Sequence, residues 1–237
     1  MDPQEGWPKA EAALSKALEL DPRLPEARHL RASIQWHYRR DSSGAETDFR
    51  SAIQLKANDA EVHNHYATFL LTQGRFDEAF SEIRRALDLD PLSTRYISDL
   101  AQIYYFARRY NEAIGQYRQA LELDPKDALV HEWLGDACQR VGDERGALAE
   151  WRTALTLRGD AALAKRISEI SATRGFAAAV RALGAEQPRK VHSAEEPRRV
   201  CAGHRLCPRL LQPESSGKRH TVAGKGLPRT EPICVLP

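Results

Sequence analysis

The chain has 237 residues, and 35 Lys and Arg against 33 Asp and Glu leave a net charge of +2. Hydrophobic residues make up 42% and charged residues 29%, as in ordinary globular proteins, and so even a charge balance argues against a chain built wholly around nucleic-acid binding. No run approaches the roughly 18 apolar residues of a membrane span, Met1–Lys9 carries no secretory leader, and the four cysteines form no disulfide framework, so the expected setting is cytoplasmic.

The first expected element is a helix over Pro8–Leu20, closing on Ala17-Leu-Glu-Leu-Asp-Pro22. Related strings begin at Ala52, Ala86, Ala120 and Ala154, at successive spacings of 35, 34, 34 and 34 residues. A period of 34 marks stacked helix–turn–helix units. Each unit is expected to carry a small residue on its first helix: Ser33, Ala67, Ala101 and Gly135. Each opens its second helix on Ala45, Ala79, Ala113 or Ala147, seven residues before the alanine of the repeated string. Seven residues are close to two helical turns, so both alanines lie on one stripe and let helix axes approach. Between them Phe49, Ile83, Tyr117 and Trp151 are expected to fill the seam. Gly74 and Gly142 fall where first helices must stop. Asp90-Pro91 and Asp124-Pro125 end second helices, since proline cannot continue one.

These marks divide the chain into a lone second helix over 1–25 and four units over 26–59, 60–93, 94–127 and 128–161. A degenerate helical pair follows over 162–186, read as a terminal cap. The array opens on half a unit, so Trp7 and Leu14 are expected to lack a packing partner, as in a fragment of a longer array. Residues 187–237 hold ten Lys/Arg, four Asp/Glu and seven of the 13 prolines, with no apolar period. They are expected to be a disordered basic tail, genuine or read in a shifted frame.

The pattern resembles the tetratricopeptide repeat, W-x2-L-G-x2-Y, then A-x3-F, then P. Leu134 and Gly135 with Ala147, Trp151 and Ala154 carry it in one unit, where His131 stands at the usual first aromatic position. In the unit opening Tyr96-Ile-Ser-Asp, Leu100, Ala101 and Tyr104 with Ala113, Tyr117, Ala120 and Pro125 carry it. The resemblance covers about residues 8–160. It implies an all-α solenoid of antiparallel helix pairs, with first helices lining a concave groove that holds a protein or peptide partner. Groove positions implied in this way are Tyr38, Asn64, Thr68, Arg95, Gln102, Tyr105, Phe106, Asp136 and Arg140, with Leu30, Ile34 and His37 upstream. Tyr105 and Phe106 are adjacent, so one of them should be available as an interface anchor. In neither register do the positions of a peptide-carboxylate clamp hold the paired cations a carboxylate needs.

Sites of chemistry are scarce. The sequence has no phosphate loop, H-E-x-x-H or nucleophile elbow, and no catalytic residue is assigned. Cys201, His204 and Cys207 lack the second pair that a zinc site prefers, so no metal or cofactor is expected. Cys138 is expected to be a buried thiol, and His63, His65 and His131 to serve packing or the groove. The tail has no aromatic residue for base stacking, which argues against nucleic acid as a partner. The function expected is a non-enzymatic protein-interaction scaffold, open to self-association at its N-terminal end. The alternative is a detached sensor or oligomerisation segment, since the repeat text is also similar to that of bacterial multidomain regulators.

Overall fold

The computed structural model describes residues 3–190, and side chains from 6 to 185. The Cys201–His204–Cys207 group and all but the first residues of the expected tail lie outside the described residues. Every described element is a helix. Helix α1 runs Pro3–Leu20 and α2 Pro25–Ile34, continued by a π turn over Gln35–Arg39; α3 spans Ser42–Leu55. Then come α4 (Ala60–Thr72), α5 (Phe76–Leu89), α6 (Thr94–Phe106), α7 (Tyr110–Leu123), α8 (Ala128–Arg140) and α9 (Glu144–Leu157). The closing pair is α10 (Ala161–Arg174) and α11 (Phe176–Lys190), so helix extends into the start of the segment expected to be tail. The hairpins α2–α3, α4–α5, α6–α7, α8–α9 and α10–α11 pack side by side, and α4, α6 and α8 also touch one another along the array.

The alanine stripe does what its spacing requires. Ala45, Ala52, Ala79, Ala86, Ala113, Ala120, Ala147 and Ala154 are all 2% exposed or less. Phe49, Ile83, Tyr117 and Trp151 fill the seams between helices. Each first helix from α4 onward starts on a side chain that caps it: Asp59, Ser93, Asp127 and Asp160 accept from backbone N–H groups of the first turn. Second helices α5 and α7 stop at Asp90 and Asp124, each directly before a proline.

The first unit departs from expectation by one residue. Ala32 is fully buried and Ser33 is not; Ser33 instead donates to the carbonyl of His29 at 3.1 Å. Thirteen residues separate Ala32 from Ala45, against twelve in the later units. The π turn takes up the extra residue, because its wider loop accommodates one insertion without breaking the helix. The closing bond records the same event. Arg75, Arg109 and Asp143 donate to the carbonyl five residues back, Leu70, Tyr104 and Cys138, but Asp41 reaches six back to Gln35. The residue just before each donor is left-handed in every unit: Arg40 (φ 59), Gly74 (φ 75), Arg108 (φ 61) and Gly142 (φ 83). Two of these four stops are therefore arginines, which the sequence reading had not marked.

Helix α1 begins at Pro3, five residues earlier than expected, and Trp7 does not lack a partner. Its ring stacks on Tyr38 at 6.3 Å and 25°, and Arg39 pairs with Glu11 at 2.5 Å. Helix α1 thus packs on α2 and its π turn. At the other end Trp151 stacks on Phe176 of α11 at 5.8 Å and 13°.

Candidate functional site

Three successive first helices meet in one hydrogen-bonded chain. Arg95 Nη2 on α6 lies 2.5 Å from His65 Nε2 on α4, and His65 Nδ1 lies 2.5 Å from His29 Nε2 on α2. The guanidinium can only donate. His65 therefore accepts at Nε2 and donates from Nδ1, and His29 accepts at Nε2 and carries its proton on Nδ1. Both rings are neutral in this arrangement. Burial, and then the neighbouring His29, Arg95 and His37, push His65 down to about 3. Burial likewise lowers His29, against the pull of Glu61 and Asp59.

A second polar pair adjoins this chain. Asn64 Nδ2 on α4 donates to Asp99 Oδ2 on α6 at 3.0 Å, and Arg95 Nε stands 4.0 Å from the same oxygen. Burial pushes Asp99 up to about 6, against the Asn64 bond and the Arg95 charge. Asn64 is fully buried and its Oδ1 has no partner.

Further along, the wall is aromatic. Tyr105 is 6% exposed, meets Trp133 edge-on at 5.4 Å, and accepts from Arg140 Nε at 3.2 Å. Burial raises its phenol, against the Arg140 bond. Phe106 is half-buried against Trp133 at 5.9 Å. Of the adjacent pair, Phe106 is therefore the one with a surface to offer. Asp136 accepts from Trp151 Nε1 at 3.0 Å, beside a cavity of about 160 Å³ also lined by Gln139 and by Val180 and Leu183 of α11.

The expected groove residues separate into three groups. Asn64 and Tyr105 lie inside the wall, Thr68, Gln102, Phe106 and Asp136 are half-buried, and Tyr38, Arg95 and Arg140 are exposed. Of the upstream positions, Leu30 and His37 are exposed, but Ile34 is buried at 3%. Sequence reasoning missed His29 as a member of the wall. The signal for His29 was present: Ala17 and Ala52 are 35 residues apart, and shifting the first unit by that extra residue sets His29 level with Asn64. Cys138 is buried, as expected, and burial raises its thiol.

Two family models agree with this architecture. One described as tetratricopeptide repeat matches residues 38–94, and another described as TPR repeat matches residues 101–142. The chain carries tetratricopeptide repeats over these residues. Over 78 residues this repeat protein is 31% identical to the type IV pilus assembly protein PilF of Pseudomonas aeruginosa, a match spanning 33% of this chain and 31% of that one. In fold it is similar to PilW, a widely conserved type IV pilus biogenesis factor, with a TM-score of 0.66 and 21% identity over 80% of this chain and 89% of that one. It is also similar to YrrB, a TPR protein with an unusual peptide-binding site, with a TM-score of 0.55 and 20% identity over 70% and 84% of the two chains. MamA gives a TM-score of 0.58 and 18% identity over 67% and 92%. None of these relatives supports the resemblance to multidomain regulators. No described helix of the repeat protein is long and apolar enough to cross a membrane.

Proposed function

We propose that the protein is a non-enzymatic interaction scaffold that binds a peptide segment of its partner along the face of its first helices. The observation that carries this reading is the polar chain Arg95–His65–His29, which joins α6, α4 and α2 into one preorganised wall. A wall whose donors and acceptors are already fixed loses little entropy when a segment lies on it. Phe106, half-buried on Trp133, supplies the aromatic anchor beside it. The peptide-binding site named for YrrB, similar in fold, supports the same reading. The expected cytoplasmic setting belongs with it.

The test is selection of a peptide-display library on the purified chain. Peptides that bind should lose roughly 2 kcal/mol, about thirty-fold in affinity, when Phe106→Ala is made. Arg84→Ala, exposed on α5, should leave binding unchanged. The reverse pattern in folded variants would place binding on the other face and end this reading. A narrower reading, a part in type IV pilus assembly, is favoured by the 31% identity to PilF. It requires that deleting the gene in its source organism removes surface pili.

A further inference from the structure

His63 and His131 occupy the same position on α4 and α8, two periods apart, and each ring is held at both nitrogens. His63 Nδ1 lies 2.6 Å from Glu82 Oε2 on α5, and its Nε2 lies 3.1 Å from the Ala57 carbonyl in the loop before α4. His131 Nδ1 lies 2.6 Å from Glu150 Oε2 on α9, and its Nε2 3.2 Å from the Pro125 carbonyl in the loop before α8. A carboxylate and a carbonyl can only accept. A neutral imidazole has one N–H and satisfies one of them, whereas the imidazolium satisfies both.

We propose that His63 is held as an imidazolium that staples the loop closing one repeat to the second helix of the next, and that losing its proton loosens this junction. His131 repeats the geometry at the junction two units on. The proposal does not depend on what the first helices bind.

The surroundings of His63 favour the charge. Its side chain is 6% exposed, and burial alone would expel a proton. The Glu82 bond, the Ala57 bond and the Glu82 charge outweigh burial, with Arg85 opposing them, and the ring titrates above its ordinary value. On α5 it faces Glu82 and Arg85, along an open cavity that also holds Asp77, Arg84 and Asp88. On the loop side stand the Ala57 carbonyl and the Lys56–Asp59 ion pair, 3.0 Å long. The sign follows from the raised value. The staple's stabilisation is fully present below about pH 6.5 and is lost as the pH rises through the folded-state value.

The test is nitrogen NMR of the histidine rings in the full chain, with the His63 signal identified by its loss in His63→Gln. Both His63 nitrogens should be mostly protonated at about pH 6.5, and the titration midpoint should fall toward or below that value in Glu82→Gln. The thermal midpoint should also fall more steeply with rising pH in the wild type than in Glu82→Gln. Should His63→Gln fail to fold, the ring signal displaced by Glu82→Gln identifies the same residue. A His63 ring already neutral at about pH 6.5, or a titration that Glu82→Gln leaves in place, overturns the staple.

Discussion

Gly135 on α8 and Trp151 on α9 share one space: a Cβ on Gly135 would stand 2.5 Å from Trp151 Cδ1 and 3.2 Å from the Ala147 carbonyl. The other units carry alanine at the Gly135 position opposite Phe49, Ile83 or Tyr117. The largest seam residue therefore faces the smallest first-helix residue. Trp151 cannot swing away, since its ring stacks on Phe176 and its Nε1 donates to Asp136.

Gly135→Ala should accordingly destabilise the chain. Alanine gains about 0.5–1 kcal/mol of helix preference, but overpacking costs about 1–3 kcal/mol, so a net loss of about 1 kcal/mol is expected in urea melts. Combined with Trp151→Phe, the same change should be tolerated or favourable. A double-mutant cycle with a coupling energy of zero would show that the two side chains do not compete.

Arg108 holds the left-handed conformation that Gly74 and Gly142 hold at the matching stops. A side chain there costs roughly 1–2 kcal/mol, partly offset because glycine frees the unfolded chain. Arg108→Gly should raise stability by up to about 1 kcal/mol. Arg109, whose guanidinium lies 4.8 Å from the Tyr104 ring centre, keeps that contact. A lower thermal midpoint in Arg108→Gly would mean that the Arg108 side chain contributes more than its backbone strain costs.

Asp99 gives a pH prediction with a definite sign. Its carboxyl is pushed up to about 6 by burial, above the ordinary value of about 3.9. The stability it contributes is present below about pH 4 and lost as the pH rises through about 6. Asp99→Asn keeps an acceptor for Asn64 and carries no charge. The midpoint of Asp99→Asn relative to the wild type should therefore be higher at about pH 7 than at about pH 4. A difference that is the same at both pH values would mean that Asp99 ionises as freely in the fold as out of it.

The fold was legible because a solenoid writes its packing into the chain once per repeat. Ala86, Ala120 and Tyr117 had to be buried wherever the superhelix ran, since each hairpin needs small residues at its crossing and a large one between them. The candidate site was less legible. Arg95 and Phe106 followed from the resemblance, but the partners of a groove side chain sit on the next helix, about one period away. His29 was masked by a single inserted residue, and Asn64 and Tyr105 turned inward because an amide and a phenol found acceptors and donors on neighbouring helices.

By itself, then, the sequence determined the repeat length, the helix stops at Gly74, Gly142, Asp90 and Asp124, and the alanine seams, because these depend on local backbone preference and on side-chain volume at fixed spacing. Only the tertiary structure decided that the extra residue becomes a π turn and that Trp7 finds Tyr38. It also decided that His29, His65 and Arg95 join into one chain and that both nitrogens of His63 meet acceptors. Those outcomes depend on which side chains from different helices reach the same few ångströms, and the repeat period does not specify that.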